Sequence, residues 1–455
     1  MPPAQAEPSL PSHETLGEAL KDARTWLAWA TYALIFFSAF TIAGVGMATG
    51  VLYIAVLLHR LNTAIRERLP IWLLAGLLAL PAAAVLSALI NPDPATNLIH
   101  LLREYAIFLP LALLPGLALV SQRRLLMLVL VPVVIVAVYA VIQHIWGVDW
   151  LRPDGMKLVE PLRSSNLFYG KGTFSHHLTF AGYMLLIGVL YAGLAWRLPD
   201  TQRRWWILGA AAALTGVTVS LGRSAWIGAA IGLTLVVMDF PRRIWAPLLA
   251  GGVLFVLAGG IWASGWLRDI LPPEIQTGVI QRITGTPLSK EERPFIWESA
   301  IEAIKDRPIL GIGYKNDRIY MGPYRKTVSK RHDNFKFSVK PSTHAHNVFL
   351  EVTVEFGFVG LAAYLYFWGA ILFWNYLWVR RAGERLPFER SMLCAASCAL
   401  IASMVAGIFE NNFFDAEVRT LILVMMGLSL HNGLMIRRAL REEGGNGLPA
   451  NSASG

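Results

Sequence analysis

The chain reads as an all-α, polytopic membrane protein with about twelve transmembrane helices and one large external loop. Three observations lead there. Of 455 residues, 55% are hydrophobic and only 15% charged, far from the soluble average. Apolar runs recur roughly every 20 to 30 residues, many of them long enough for a helix to cross a bilayer. Arg and Lys gather at every second connection between those runs: Lys21 and Arg24; Arg60, Arg66 and Arg68; Arg123 and Arg124; Arg197, Arg203 and Arg204; Arg242 and Arg243; Arg380, Arg381, Arg385 and Arg390; Arg437, Arg438 and Arg441.

The apolar runs place spans near 25–43, 46–60, 70–90, 100–119, 124–144, 176–195, 205–220, 224–239, 244–263, 347–376, 390–409 and 416–436. The chain then divides into a tail (1–24), a nine-span bundle (25–263), a large loop (264–346), a three-span bundle (347–436) and a second tail (437–455). By the positive-inside rule both tails are cytoplasmic and the large loop is outside. The first 20 residues are polar and show no signal-peptide pattern. The net charge of +10 reflects these loops, so it is a topology signal and does not suggest nucleic acid as a partner. Cys394 and Cys398, four apart in one apolar run, read as packing residues.

Four polar features fall on the outer face. The connection at 145–175 carries Asp149, Trp150, Arg152, Arg163, Tyr169 and Lys171. Arg223 follows Ser220-Leu221-Gly222 in the turn after the seventh span, where a guanidinium at the hydrocarbon edge must snorkel, pair or face a wet site. The large loop ends at His344 and His346. The turn before the last span holds Glu410, Asn411, Asn412 and Asp415.

Eighty-three structureless residues would be unusual, so the loop is expected to fold. Pro294–Lys305 reads as a helix with Trp297, Ile301 and Ile304 on one face, and Pro308 stops it. Arg293 at its start opposes the macrodipole, which points to a role in what it binds or to pairing with Glu291, Glu292 or Glu298. Gly311-Ile312-Gly313 reads as a tight turn without the context of a dinucleotide fingerprint. Arg325–Lys340, rich in lysine, reads as a mobile lid or acceptor-facing surface.

From Asn347 the chain turns helical, with Thr343 as the expected N-cap. Glu351 and Glu355 share a face in the outer half of that span, where two carboxylates should face the bundle interior or basic groups. An imidazole one turn above Glu351 is suited to take a proton from a sugar hydroxyl. The same residues also allow a plainer reading, in which two histidines anchor the start of a span. A His-x-His pair supplies too few ligands for a tetrahedral metal set, so neither a metal nor a cofactor is expected.

His346-Asn347, nine residues, Gly357, two residues and Gly360 resemble the motif of bacterial O-antigen ligases, the lipid A-core:surface polymer ligases, within a superfamily that includes O-antigen polymerases and O-linked oligosaccharyltransferases. The span layout and the large loop before the motif helix are similar too. The resemblance implies a GT-C-like glycosyltransferase of the Gram-negative inner membrane. Such an enzyme moves a glycan from undecaprenyl diphosphate to a sugar of the lipid A-core at the periplasmic face, inverting and metal-independent. It implies His346 as the catalytic histidine and Arg223 and Arg293 as diphosphate-binding arginines. Around them His344, Asn347, Glu351, Glu355, Arg163, Tyr169, Lys171, Asn411 and Asn412 are the candidate substrate-binding residues. Glu355 or Glu351 is the expected partner of His346. The expected partners of the chain are undecaprenyl-diphosphate-linked O-antigen, the lipid A-core acceptor and membrane lipids.

Polymerase and protein oligosaccharyltransferase activities use the same donor. The complete histidine–glycine motif and the basic loop favour the ligase branch. A transporter is disfavoured because no internal repeat stands out and the polar residues gather at one face, away from midplane.

Overall fold

The computed structural model describes residues 22–40, 42–58, 69–91, 93–102, 104–151, 167–239, 292–332, 336 and 344–445. The expected span 244–263, all of 264–291, Arg152, Arg163 and Thr343 lie outside these residues.

Every described element of length is helical: α1 Ala23–Phe37, α2 Ile42–Leu58, α3 Ile71–Ile90, α4 Pro94–Leu102, α5 Leu109–Leu117, α6 Gln122–Trp146, α7 His177–Arg197, α8 Arg203–Ser220, α9 Arg223–Val237, α10 Arg293–Asp306, α11 Asp317–Arg331, α12 Val348–Ala382, α13 Pro387–Ala406 and α14 Ala416–Gly445. Six of them (α3, α6, α7, α12, α13 and α14) are long and apolar enough to cross a membrane, and α4 with α5 form a seventh if that bent pair is one span. The other positions read as spans also fall on helices where they are described, but α1, α2 and α9 have only 15, 17 and 15 residues. The chain is a polytopic all-α membrane protein with six to seven clear candidate spans and helical loops.

Helix α7 is the centre. It packs against α8, α9 and α13, while α12 packs on α3 and α14 on α5. Outward-facing Leu57, Leu58, Val131, Ile135, Val138, Phe358 and Phe373 are exposed, as lipid-facing residues should be. Inside, the Asn375 amide donates to Ser397 Oγ at 3.0 Å and to Ser429 Oγ at 3.1 Å, joining three helices by side-chain hydrogen bonds. Cys394 and Cys398 are buried and unlinked within α13.

The long helix α12 is broken at Gly357, whose φ of 67° and ψ of −168° are not helical. A break inside a buried helix orphans backbone groups that something must satisfy. The segment after α10 supplies the partners: Ile312 and Gly313 N–H donate to Val354 and Glu355 C=O, and Phe358 N–H donates to Pro308 C=O. Gly311 and Gly357 are obligatory here, since an added Cβ would lie 2.4 Å from Val354 O and 2.1 Å from Ile309 O respectively. The Gly-x-Gly turn thus docks the segment between α10 and α12 onto the broken helix.

Helices α10 and α11 depart from the sequence reading in two respects. The buried face of α10 is Ile296, Ser299, Ala300 and Ala303, whereas Ile301 is exposed, so the apolar stripe is rotated by about one residue from the expected one. Arg325–Arg331, read as part of a mobile lid, is the second half of α11, and Arg325 is buried. Ion pairs from Arg331 to Glu298 and Glu302 tie α11 to α10.

Candidate active site

Helix ends converge at one end of the bundle. Asn347 caps α12, its side-chain oxygen accepting from Leu350 N–H at 3.0 Å. The cap is Asn347 and not Thr343, because Asn347 itself is extended (φ −157°) and directly precedes the first helical residue. Val348 N–H donates to Gly407 C=O at 2.8 Å, joining the start of α12 to the end of α13. The turn from Gly407 to Asp415 therefore lies beside His346.

His346 Nδ1 lies 2.7 Å from Glu410 Oε1, and Arg293 Nη2 lies 3.0 Å from Glu410 Oε2. Arg293 Nη1 also donates to Phe409 C=O at 2.8 Å. One carboxylate thus joins the imidazole and the guanidinium. Its side chain is only 5% exposed, while those of His346 and Arg293 are 23% and 33% exposed, so the anchor is buried and the reactive groups meet solvent. Burial pushes Glu410 toward protonation, but the hydrogen bond from His346 and the charge of Arg293 outweigh it and hold the carboxyl below its ordinary range. With an ionised acceptor on Nδ1, that nitrogen carries the proton and Nε2 presents the lone pair.

His346 sits at φ 50°, a left-handed backbone costing about 1–2 kcal/mol in a non-glycine residue. Flanking bonds hold it there: Ala345 N–H donates to Glu351 Oε2 at 2.7 Å, Trp297 Nε1 donates to Ala345 C=O at 2.8 Å, and Asn347 caps the helix. Glu351 therefore grips the backbone before the histidine. Glu355 Oε1 accepts from Lys315 N–H at 2.9 Å and secures the docked loop. The partner of His346 is Glu410, which replaces the expected Glu351 or Glu355. A helical i, i+4 pattern could not reveal it, because the partner lies 64 residues downstream in another turn.

His344 stacks near His346, with ring centroids 4.6 Å apart. Burial, followed by the neighbouring His346, pushes His344 down to about 4, so its imidazole is neutral at pH 7. His176, at the N-cap of α7, is close enough to act on His344 electrostatically. Its neighbour His177 bonds through Nδ1 to Ser220 C=O at 2.9 Å, and Tyr169 lies against it with rings 4.5 Å apart. His176 and His177 were missed by sequence reasoning; a polar pair opening an apolar run was the available signal.

Arg223 is the first residue of α9, exposed, three residues beyond the Ser220 that His177 contacts. Tyr169, His177 and Arg223 are thereby brought to the same end of the bundle as His346. Lys171 is engaged locally: it pairs with buried Asp149 at 3.2 Å, and its N–H donates to Gln143. Asn411 and Asn412 are buried in the turn after Glu410, with their Oδ1 atoms lacking a hydrogen-bond partner among the described residues. Asp415 closes the turn, accepting from Thr179 at 2.8 Å, and burial raises its carboxyl to about 6.

His344, His346 and Glu410 each offer a metal-ligand atom, all within 4.8 Å of one another. The spacing of the sequence did not foresee this set, because its third member comes from the Glu410 turn.

Residues 208–365 match the O-antigen ligase family, a stretch that contains Arg223, Arg293, His346, Gly357 and Gly360. The chain is 28% identical to an O-antigen ligase of Salmonella typhimurium over 31% of its own length and 38% of the relative's. It is 22% identical to a Rickettsia conorii protein provisionally assigned as a polysaccharide ligase, over 56% and 59% of the two chains. It is 32% identical to the exopolysaccharide production protein ExoQ of Rhizobium meliloti over 15% of each. The matched regions cover less than two thirds of each of these relatives. At low identity, and at the level of the family, the chain is homologous to O-antigen and polysaccharide ligases, with Arg293 and His346 inside the family match and Glu410 beyond its end.

Proposed function

We propose that the protein is an O-antigen ligase of the Gram-negative inner membrane. It transfers a glycan from undecaprenyl diphosphate to a sugar hydroxyl of the lipid A-core, with inversion, without a metal, and at the periplasmic face. The observation that carries the reading is the His346–Glu410–Arg293 arrangement at helix ends, of which His346 and Arg293 lie inside the matched region and Glu410 beyond it. Glu410 fixes the His346 tautomer, leaving Nε2 to accept the proton of the acceptor hydroxyl. The hydroxyl oxygen attacks the anomeric carbon, the bond to the diphosphate breaks, and its electron pair leaves on a phosphate oxygen. Glu410 then stabilises the imidazolium.

Charge developing on the departing diphosphate needs fixed donors. Arg223 supplies an exposed guanidinium at the start of α9, and Arg293 supplies a second, anchored by Glu410 and Phe409 C=O. The helix N-termini of α7, α9, α10 and α12 add partial positive charge at the same end. A polyprenyl tail is accommodated along the exposed apolar flanks while both sugars stay in water.

The test is reconstitution with a purified undecaprenyl-diphosphate glycan, offering lipid A-core, a second lipid-linked glycan and a Ser-containing protein in parallel. Transfer to lipid A-core alone is the expected result. Transfer to the lipid-linked glycan identifies a polymerase, transfer to the protein identifies an oligosaccharyltransferase, and transfer to none contradicts the proposed activity.

A further inference from the structure

We propose that His344, His346 and Glu410 form an inhibitory site for a borderline-soft divalent cation of the Zn²⁺ type. The three ligand atoms lie within 4.8 Å of one another. In a tetrahedral zinc site with bonds near 2.0–2.1 Å, neighbouring ligand atoms are roughly 3.3 Å apart, so closure requires the separations to shorten by about 1.5 Å at most. Two imidazoles and one carboxylate match the donor types that zinc prefers over magnesium or calcium, which favour all-oxygen sets.

The surroundings are already arranged. Glu410 keeps Oε2 on Arg293 at 3.0 Å while Oε1 faces His346, so one oxygen is oriented by a fixed donor and the other is available to an ion. His344 and His346 flank the single residue Ala345, whose N–H is held by Glu351 and whose C=O is held by Trp297. Both rings therefore project from a clamped backbone. A water molecule or an acceptor hydroxyl completes the fourth position. The Arg293 guanidinium opposes the added positive charge, which limits affinity and suits a reversible inhibitor.

Occupancy has a direct consequence. The ion takes the place of the proton between His346 Nδ1 and Glu410, that proton moves to Nε2 of the neutral imidazole, and His346 thereby loses the Nε2 lone pair that accepts the hydroxyl proton. This consequence rests on the proposed transfer reaction, whereas the binding itself does not. The same residues thus work without metal and are disabled by one.

The experiment uses the full-length protein, free of any histidine tag, in lipid nanodiscs, titrated calorimetrically with ZnCl₂ and, separately, with MgCl₂. Saturable binding of one Zn²⁺ per chain and none of Mg²⁺ is expected. His344→Gln and Glu410→Gln should each weaken Zn²⁺ by at least about 10-fold, the scale on which even ligand-supporting groups matter, while His332→Gln should leave it unchanged. Absence of saturable binding, or equal affinity in the two site variants, overturns the site. Transfer assayed in parallel should fall as Zn²⁺ saturates and recover with EDTA. Zn²⁺ binding without loss of transfer overturns the inhibitory role alone, and a preparation that binds Zn²⁺ but never transfers bears instead on the proposed reaction.

Discussion

Two carboxylates, Glu104 half-buried and Glu410 buried, anchor polar centres in this molecule, and they are built differently. Glu104 sits where α4 gives way to the helical turn Tyr105–Phe108 and is fully engaged. It pairs with Arg419, accepts from the Tyr314 hydroxyl, and accepts from Lys315 Nζ at 3.0 Å. Arg419 is only 12% exposed, and Tyr314 is covered by the rings of Phe356 and Phe414. Lys315 is 49% exposed, but the less exposed Arg419 and Tyr314 carry the centre and lock the docked loop against α14. Glu410 is more deeply buried, at 5% exposed against 17% for Glu104, and both of its cationic or titratable partners, His346 and Arg293, reach solvent. A network carried by a largely buried arginine and a covered tyrosine stabilises a fold, whereas a buried anchor whose two partners both reach solvent leaves donor and acceptor capacity for a substrate.

The largest separation between the two centres should come from His346→Ala. Loss of a general base lowers turnover by roughly 10²–10⁴-fold, with donor binding and membrane insertion retained; turnover near that of the unmodified protein would remove His346 from the chemistry. Next come the arginines. Arg223→Ala and Arg293→Ala should each cost about 10- to 150-fold in kcat/KM, the equivalent of a charge-assisted hydrogen bond of roughly 1.5–3 kcal/mol. Lysine should restore only part, since it lacks the planar fork. Donor affinity and rate unchanged in both alanine variants would place the diphosphate elsewhere.

The Glu104 centre should answer in stability. Removing one partner of a largely buried pair costs up to about 3–5 kcal/mol, so Glu104→Gln should lower the thermal midpoint in detergent by several degrees. The transfer rate per folded molecule should remain within a few-fold of the original. A large loss of rate with unchanged stability would erase the distinction between the centres.

The smallest effect concerns Asp415. Burial raises its carboxyl from 3.8 to about 6. A raised carboxyl binds its proton more tightly in the folded state, so stability falls as pH rises from about 4 to about 6 and stays at the lower level above that. Asp415→Asn should therefore raise the thermal midpoint at pH 7.5 and change it little at pH 4. An equal shift at both values would contradict ionisation as the cause.

Much of this was legible in the chain. Apolar periodicity located α3, α6, α7, α12, α13 and α14, because a bilayer demands long unbroken apolar helices. His346 and Arg223 stood out because charged and titratable groups at span ends are costly unless used, and Arg293 because it opposes the dipole at the start of a loop helix. What periodicity could not supply was pairing across distance. Glu351 and Glu355 shared a helix face with the histidine, yet serve the backbone at Ala345 and Lys315, and the true partner arrived from the turn between α13 and α14. The break at Gly357 was signalled by glycine, but the segment docked into it, Pro308–Gly313, is set by backbone hydrogen bonds that carry no side-chain signature.

The central claim is that His346 works through Glu410 and not through the carboxylates of its own helix. The most direct measurement compares transfer from a purified undecaprenyl-diphosphate glycan by Glu410→Gln, Glu351→Gln and Glu355→Gln, each corrected for folded protein. The account predicts a loss of roughly 10²-fold or more for Glu410→Gln, within the range of the base it orients. The other two should stay within a few-fold, since glutamine still offers an oxygen to the N–H groups of Ala345 and Lys315. Full activity in Glu410→Gln, with the large loss moved to Glu351→Gln or Glu355→Gln, would contradict it.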